Sequence, residues 1–176
     1  MPSIWVESLR FDIHSNFDGH KYDDWVHYRS VLEPQGSYKA VDLVVARFQM
    51  SPPEVWLVEA KDYRVINNPP ERSNLEELPE TMAKKVGDTR RGLADASQSA
   101  EQENEKALAI RAMSARSRRV VLHLEPHVGQ HSALFPKNFS ANVLQKLKQL
   151  IREIDPNPLV LDIARTPRAR VPWGVS

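Results

Sequence analysis

The chain has 176 residues, 41% of them hydrophobic and 27% charged, with a formal net charge of +1. This is the balance of one globular domain with a core of its own, which excludes a disordered or fibrous chain and gives no global basic signal for nucleic acid. Cysteine is absent, which excludes disulfides and thiolate metal sites.

The N-terminal segment from Met1 to Glu7 lacks the basic region and long apolar run of a signal peptide. No stretch approaches the ~20 apolar residues of a membrane span. A soluble, cytoplasmic protein with no membrane contact is expected.

Residues 3–13 partly alternate apolar and polar side chains, as an exposed strand does. The polar stretch from Asn16 to Asp24, with Gly19, reads as a loop or short helical turn. Trp25 to Leu32 reads as a further strand. Pro34-Gln35-Gly36-Ser37 is a turn, since Pro presets φ and Gly permits positive φ. Tyr38 to Phe48 and Glu54 to Tyr63 hold apolar runs, Leu43-Val44-Val45-Ala46 and Val55-Trp56-Leu57-Val58, of the kind found in strands covered on both faces. Ser51-Pro52-Pro53 separates them.

Asn67 to Pro79 reads as a loop. Beyond it the period changes. Met82, Val86, Leu93 and Ala96 suit an amphipathic helix, and a second helix is expected over 101–115. Arg119 to Glu125 is a third buried-type strand. Asn138 or Ser140 is placed to cap a helix with Val143, Leu144, Leu147, Leu150, Ile151 and Ile154 on one face, ended by Pro156 and Pro158. Leu159 to Ile163 is a last short strand. The order predicts an α/β domain over 1–165, a mixed central β-sheet flanked by helices, followed by an irregular proline-containing tail over 166–176.

Asp42, Glu59 and Lys61 are the residues that carry chemistry. Glu59 and Lys61 are two apart on one strand, so both side chains point to the same face. Asp42 sits on the strand before, and adjacent strands lie ~5 Å apart. Two carboxylates so placed could share one Mg²⁺, which takes one or two carboxylates plus waters and suits phosphodiester cleavage. The Ala60 backbone carbonyl is a candidate further ligand, and Lys61 could orient the attacking water or neutralise developing charge.

Val41-Asp42 followed by Glu59-Ala60-Lys61, each acid against an apolar run and a helix after the lysine strand, resembles the motif of the PD-(D/E)xK phosphodiesterase superfamily. The resemblance covers roughly residues 20–125. It implies a restriction-endonuclease-like core, metal ligation by Asp42 and Glu59, an assisting role for Lys61, and Mg²⁺ or Mn²⁺ as cofactor. It implies nuclease activity, with DNA the expected substrate. Many members add an upstream glutamate on a first helix, and Glu7 and Glu33 are the candidates. The residue before the first acid is Val41 where proline is common. A polar or basic residue on the following helix, Lys84, Lys85 or Gln98, could border the site.

Lys84, Lys85, Arg90 and Arg91 are candidates for nucleic-acid contact, and a solvated helix face paired with Asp88 and Asp95 is the plainer reading. Arg111, Arg116, Arg118 and Arg119 form a second basic group and Arg165, Arg168 and Arg170 a third. His123, His127 and His131 recur every four residues, but Pro126 and Gly129 oppose the helix a ligand row needs. His14, His20 and His27 read as surface polar residues, His20 or His27 at the border of the cleft. Trp173 is the tryptophan expected to be exposed. A domain this small has little room for a separate sequence-reading module, so a homodimer or a targeting partner protein is expected. The alternative on the same residues is a non-catalytic binding or assembly subunit of a nucleic-acid-processing complex.

Overall fold

A computed structural model describes residues 2–47, 54–64, 70–129 and 131–176. The separator Ser51-Pro52-Pro53 and residues 67–69 of the expected 67–79 loop lie outside the described residues. The fold is mixed α/β, with two sheets and helices.

The larger sheet has five strands in chain order: β3 (Phe17–Lys21), β4 (Leu43–Arg47), β5 (Glu54–Asp62), β6 (Ser117–Glu125) and β7 (Leu159–Leu161). β3, β4 and β5 pair antiparallel, and β5, β6 and β7 pair parallel. The smaller sheet is antiparallel and joins β1 (Ser3–Val6), β2 (Leu9–Ile13) and β8 (Trp173–Val175) in the order β1-β2-β8. Between β5 and β6 the chain forms α1 (Arg72–Glu76), α2 (Leu78–Ser99) and α3 (Glu103–Met113). α4 (Phe139–Leu150) connects β6 to β7. Parallel neighbours need such crossovers. Among the described residues, no helix is long and apolar enough to cross a membrane.

β4 and β5 are covered on both faces, as their apolar runs predict. Val44, Ala46, Val55 and Leu57 join the core beneath α2 and α3, with Met82, Val86 and Leu93. Leu43, Val45, Trp56 and Val58 join a second core against Phe11, Ile13 and Trp173 of the small sheet. The period-two alternation of a strand thus sends each acid's neighbours to opposite layers.

Several expectations are corrected. The expected strand over 25–32 is helical, with π-helical Tyr28–Leu32 followed by a 3₁₀ turn, Glu33–Gln35, closed by Gly36 at φ 73°. The apolar residues buried there are Trp25, Tyr28 and Leu32, at helical spacing, while Val26 and Val31 are exposed. The stretch over 3–13 is not one strand but the β1–β2 hairpin, turning at Glu7 with φ 52°. Asn16 to Asp24 holds strand β3 and a 3₁₀ turn, because β4 supplies its backbone partners, Phe17↔Arg47 to Lys21↔Leu43. The tail over 166–176 is not irregular: Thr166–Arg168 is a 3₁₀ turn and β8 pairs with β2. Trp173 there is 2% exposed, edge-on to Trp56, because burying its ring against the second core outweighs ordering the tail. α1 likewise lies within the expected loop, and Asn138 flanks α4 without a side-chain capping bond.

Candidate active site

The β4–β5 register pairs Leu43 with Val58, which sets Asp42 beside Glu59 at the point where both strands leave the core. Residues 42, 44 and 46 and residues 55, 57, 59 and 61 share the face turned to the helices. The structure therefore brings Asp42, Glu59 and Lys61 together. Asp42 is held from two sides. Its carbonyl accepts the Tyr22 N–H at 2.8 Å, and its Oδ2 accepts the Ala60 N–H at 2.7 Å.

Glu59 is 1% exposed. Its Oε1 accepts from Lys85 Nζ at 2.5 Å and lies 3.1 Å from Lys61 Nζ. Its Oε2 is buried and accepts no hydrogen bond among the described residues. Lys61 Nζ also lies 3.5 Å from Glu7 Oε1, and Glu7 Oε2 accepts the Asp62 N–H at 2.6 Å. Glu7 can reach both because its positive φ turns the hairpin tip over the end of β5. Asp62 is tied to Ser8 and to Arg64, whose Nε is 2.9 Å from its Oδ1.

The electrostatics follow from burial and proximity. Burial and the neighbouring Asp42 carboxylate push the Glu59 carboxyl above the usual range, and the Lys61 and Lys85 ammonium groups only partly offset them. Burial alone would depress Lys61, but the carboxylates of Glu59, Asp42 and Glu7 more than offset it and raise the ammonium above its ordinary value. Asp62 is pulled down to about 2, since hydrogen bonds from Arg64 and Ser8 overcome the effect of its burial.

A cleft of about 370 Å³ opens beside the acids, lined by Asp23, Arg29, Glu33, Lys39, Asp42 and Lys85 with Tyr28 and Tyr38. The two upstream glutamates thus sit in different places. Glu7 braces the lysine strand from the small sheet, and Glu33 lines the cleft from the helical run. Among the described residues, no three His, Asp or Glu side chains form a ready metal cage. Asp42 and Glu59 supply two adjoining carboxylates, which is the number Mg²⁺ takes when waters and a phosphate fill its remaining positions.

The four helix cations do not form one surface. Lys85 enters the site. Lys84 Nζ bonds Asp88 at 2.5 Å and the Ser37 carbonyl at 2.7 Å, and Arg91 also pairs with Asp88. Arg90 lines a separate hollow with Lys148 and Arg152.

A cysteine–tRNA ligase of Neisseria meningitidis serogroup A / serotype 4A (strain DSM 15465 / Z2491) is 27% identical over 215 aligned residues, which take in 100% of this chain and 30% of the ligase. The chain thus spans less than a third of the length of that curated relative. No family model matches the chain, and no solved structure matches it.

The histidines stay outside the acid pair. His123 is fully buried on β6 and bonds Glu125 at 2.8 Å, while His127 and His131 lie in the following loop. His20 bonds Asp18 at 3.1 Å, and His27 is buried and bonds Asp95 at 2.7 Å. Nothing in the sequence motif points to Asp23, Arg29 or the tyrosines of the cleft. The helical spacing of Trp25, Tyr28 and Leu32 is the signal for the helical run that carries Tyr28 and Arg29 to the cleft.

Proposed function

We propose that the chain is a Mg²⁺-dependent nuclease of restriction-endonuclease-like type that hydrolyses phosphodiester bonds in DNA, with Mn²⁺ able to substitute. The observation that carries the reading is Glu59: a buried carboxylate with Oε2 unsatisfied, beside Asp42 and under two lysine ammonium groups. An unpartnered buried carboxylate oxygen is costly unless something binds it, and a divalent cation shared with Asp42 fits that need. The antiparallel β3-β4-β5 order, with a helical crossover to parallel β6, supports the same reading, because it is the strand–strand–helix–strand order the motif implies.

Asp42 and Glu59 are the residues that would hold the metal. When bound, Mg²⁺ would polarise the scissile phosphate and lower the pKa of the attacking water. Lys61, held on its other side by Glu7, positions that water and meets the negative charge that grows on the phosphate oxygens. Lys85 offsets the charge of Glu59 and presents a second ammonium to the cleft. Glu33 and Asp23 line the approach.

The test is cleavage of plasmid DNA with Mg²⁺ or Mn²⁺, with Asp42→Asn and Lys61→Ala as variants and circular dichroism as the folding control. Metal-dependent nicking or linearisation is expected from the natural chain. Lys61→Ala is expected to lose roughly 10²–10³-fold in turnover, the usual cost of removing a preorganised donor. DNA binding without cleavage by the natural chain would favour a binding or assembly subunit instead.

A further inference from the structure

The end of the large sheet opposite the acids is basic. Two hollows of about 690 and 270 Å³ share a wall made by Ile154 and Pro156. Arg90, Lys148 and Arg152 line the first, and Arg116, Arg118 and Arg119 line the second. Among the described residues, Arg90, Arg116, Lys148 and Arg152 have no carboxylate partner, and Arg118 donates only to the Met113 carbonyl at 3.2 Å. Two carboxylates border the hollows. Asp155 is already committed to Arg119 at 3.4 Å and to the N–H groups of Val120 and Asn157. Glu153 is the other. Arg118 is partly desolvated and feels Arg90, and burial followed by that like charge lowers its pKa. Like charges gathered without counter-charges are unfavourable in the free protein and favourable once an anion arrives.

α2 ties this end to the site. Lys85 lies on Glu59, and Arg90 lies five residues on, about 7.5 Å along the helix axis. We infer that Arg90, Arg116, Arg118, Lys148 and Arg152 form a second phosphate-binding surface for the same polynucleotide, remote from the acids. The inference rests on the nuclease reading for its choice of anion. The planar forks of several arginines suit phosphate oxygens and carboxylates alike, so it is the nuclease reading that selects a phosphate backbone over an acidic protein segment. On β6 the basic end starts at Ser117, and Leu122, five residues on, pairs with Glu59. At ~3.3 Å per residue this is about 17 Å, or about five base pairs of duplex at ~3.4 Å each. A substrate shorter than that reaches the acids alone, and a longer one touches both ends.

The experiment uses the full chain carrying Asp42→Asn, so that no turnover intrudes, and a fluorescein-labelled hairpin duplex of about four base pairs beside a duplex of about thirty, read by anisotropy across a salt series. The variants are the pair Lys148→Glu/Arg152→Glu, both exposed, and separately Arg118→Glu, with circular dichroism on each. The expected result is at least a tenfold loss of affinity for the long duplex in the double variant. The slope of log affinity against log salt should fall by about two, near one for each phosphate no longer neutralised. Affinity for the short duplex should not move.

An unchanged long-duplex affinity overturns the inference, and so does an equal loss on both lengths. Poly-glutamate that competes for the patch while the duplex does not overturns it in favour of an acidic protein partner. Length-dependent binding by a chain that never cleaves DNA leaves the surface standing and sinks the nuclease reading.

Discussion

Under the proposed nuclease reading, Glu59 would have to be buried enough to hold a cation firmly, yet ionised enough to hold it at all. Its carboxyl is pushed up by burial and by Asp42, while Lys61 and Lys85 pull it back. The sign of the pH effect follows. The native state keeps the Glu59 proton to a higher pH than the unfolded chain does. Its contribution to stability is therefore fully present below the unfolded carboxylate value and declines as pH rises through the raised native value. Metal binding needs the ionised form. The acid limb of cleavage is thus expected above the usual glutamate range, and it should move to lower pH as Mg²⁺ is raised. A pH–rate profile at two metal concentrations checks this, and a limb that ignores metal would sink it. The Lys61 ammonium is also raised, by its carboxylate neighbours, and is charged throughout that range. Its weak point is its brace. Glu7→Ala removes the carboxylate that holds both Lys61 and the Asp62 N–H. Turnover is expected to fall by up to about 10²-fold, the scale of a misplaced group, with Mg²⁺ affinity unchanged. Single-turnover cleavage across a metal titration separates the two.

At the scale of elements, periodicity is legible wherever packing is two-sided or strongly amphipathic. The apolar runs of β4 and β5 and the spacing of Met82, Val86 and Leu93 on α2 lie in the layers their patterns predict. The run from Trp25 to Gln35 misleads, because exposed Val26 and Val31 resemble a strand when taken alone. α2 meets Leu32 of that run at Gly92, where an added Cβ would fall on the Tyr22 hydroxyl and 2.7 Å from Leu32 Cδ1. Tyr22 is fully buried with its ring against Trp25 and Tyr28, so it has no room to yield. Gly92→Ala is expected to destabilise the fold by ~1–3 kcal/mol through overpacking, despite the better helix propensity of alanine. Urea unfolding measures it, and a stabilised variant would show that α2 is free to move off the helical run.

Among the described residues, two of the three apolar cores sandwich the large sheet at β4 and β5, and the second core depends on the chain's last residues. Trp173 packs edge-on to Trp56 and near Phe11, whose partners lie on β2 and β5. Trp173→Ala is expected to cost ~3–5 kcal/mol, the range for emptying a buried aromatic site. Removal of 166–176 should cost more, since it also leaves the β2 edge unpaired. Denaturant midpoints of the two variants test the order. A tail deletion without effect would mean that the small sheet stands without β8. The same small sheet carries Glu7 to Lys61, so the tail variant should also slow cleavage.

The local pattern of residues is enough to mark the acids and the lysine. Two apolar strands ending in Asp42 and in Glu59-Ala60-Lys61 put the three side chains on one face through strand geometry alone, with no need for distant contacts. The partners of that group come only from the tertiary structure. Glu7 arrives from a hairpin in another sheet and Lys85 from a helix, while Glu33, from a run whose period misleads, lines the neighbouring cleft. Strand alternation is a short-range rule, whereas the ion pairs around Glu59 join residues 26 and 54 positions apart along the chain. What brings them together is the burial of two cores on either side of β5, which no local pattern encodes.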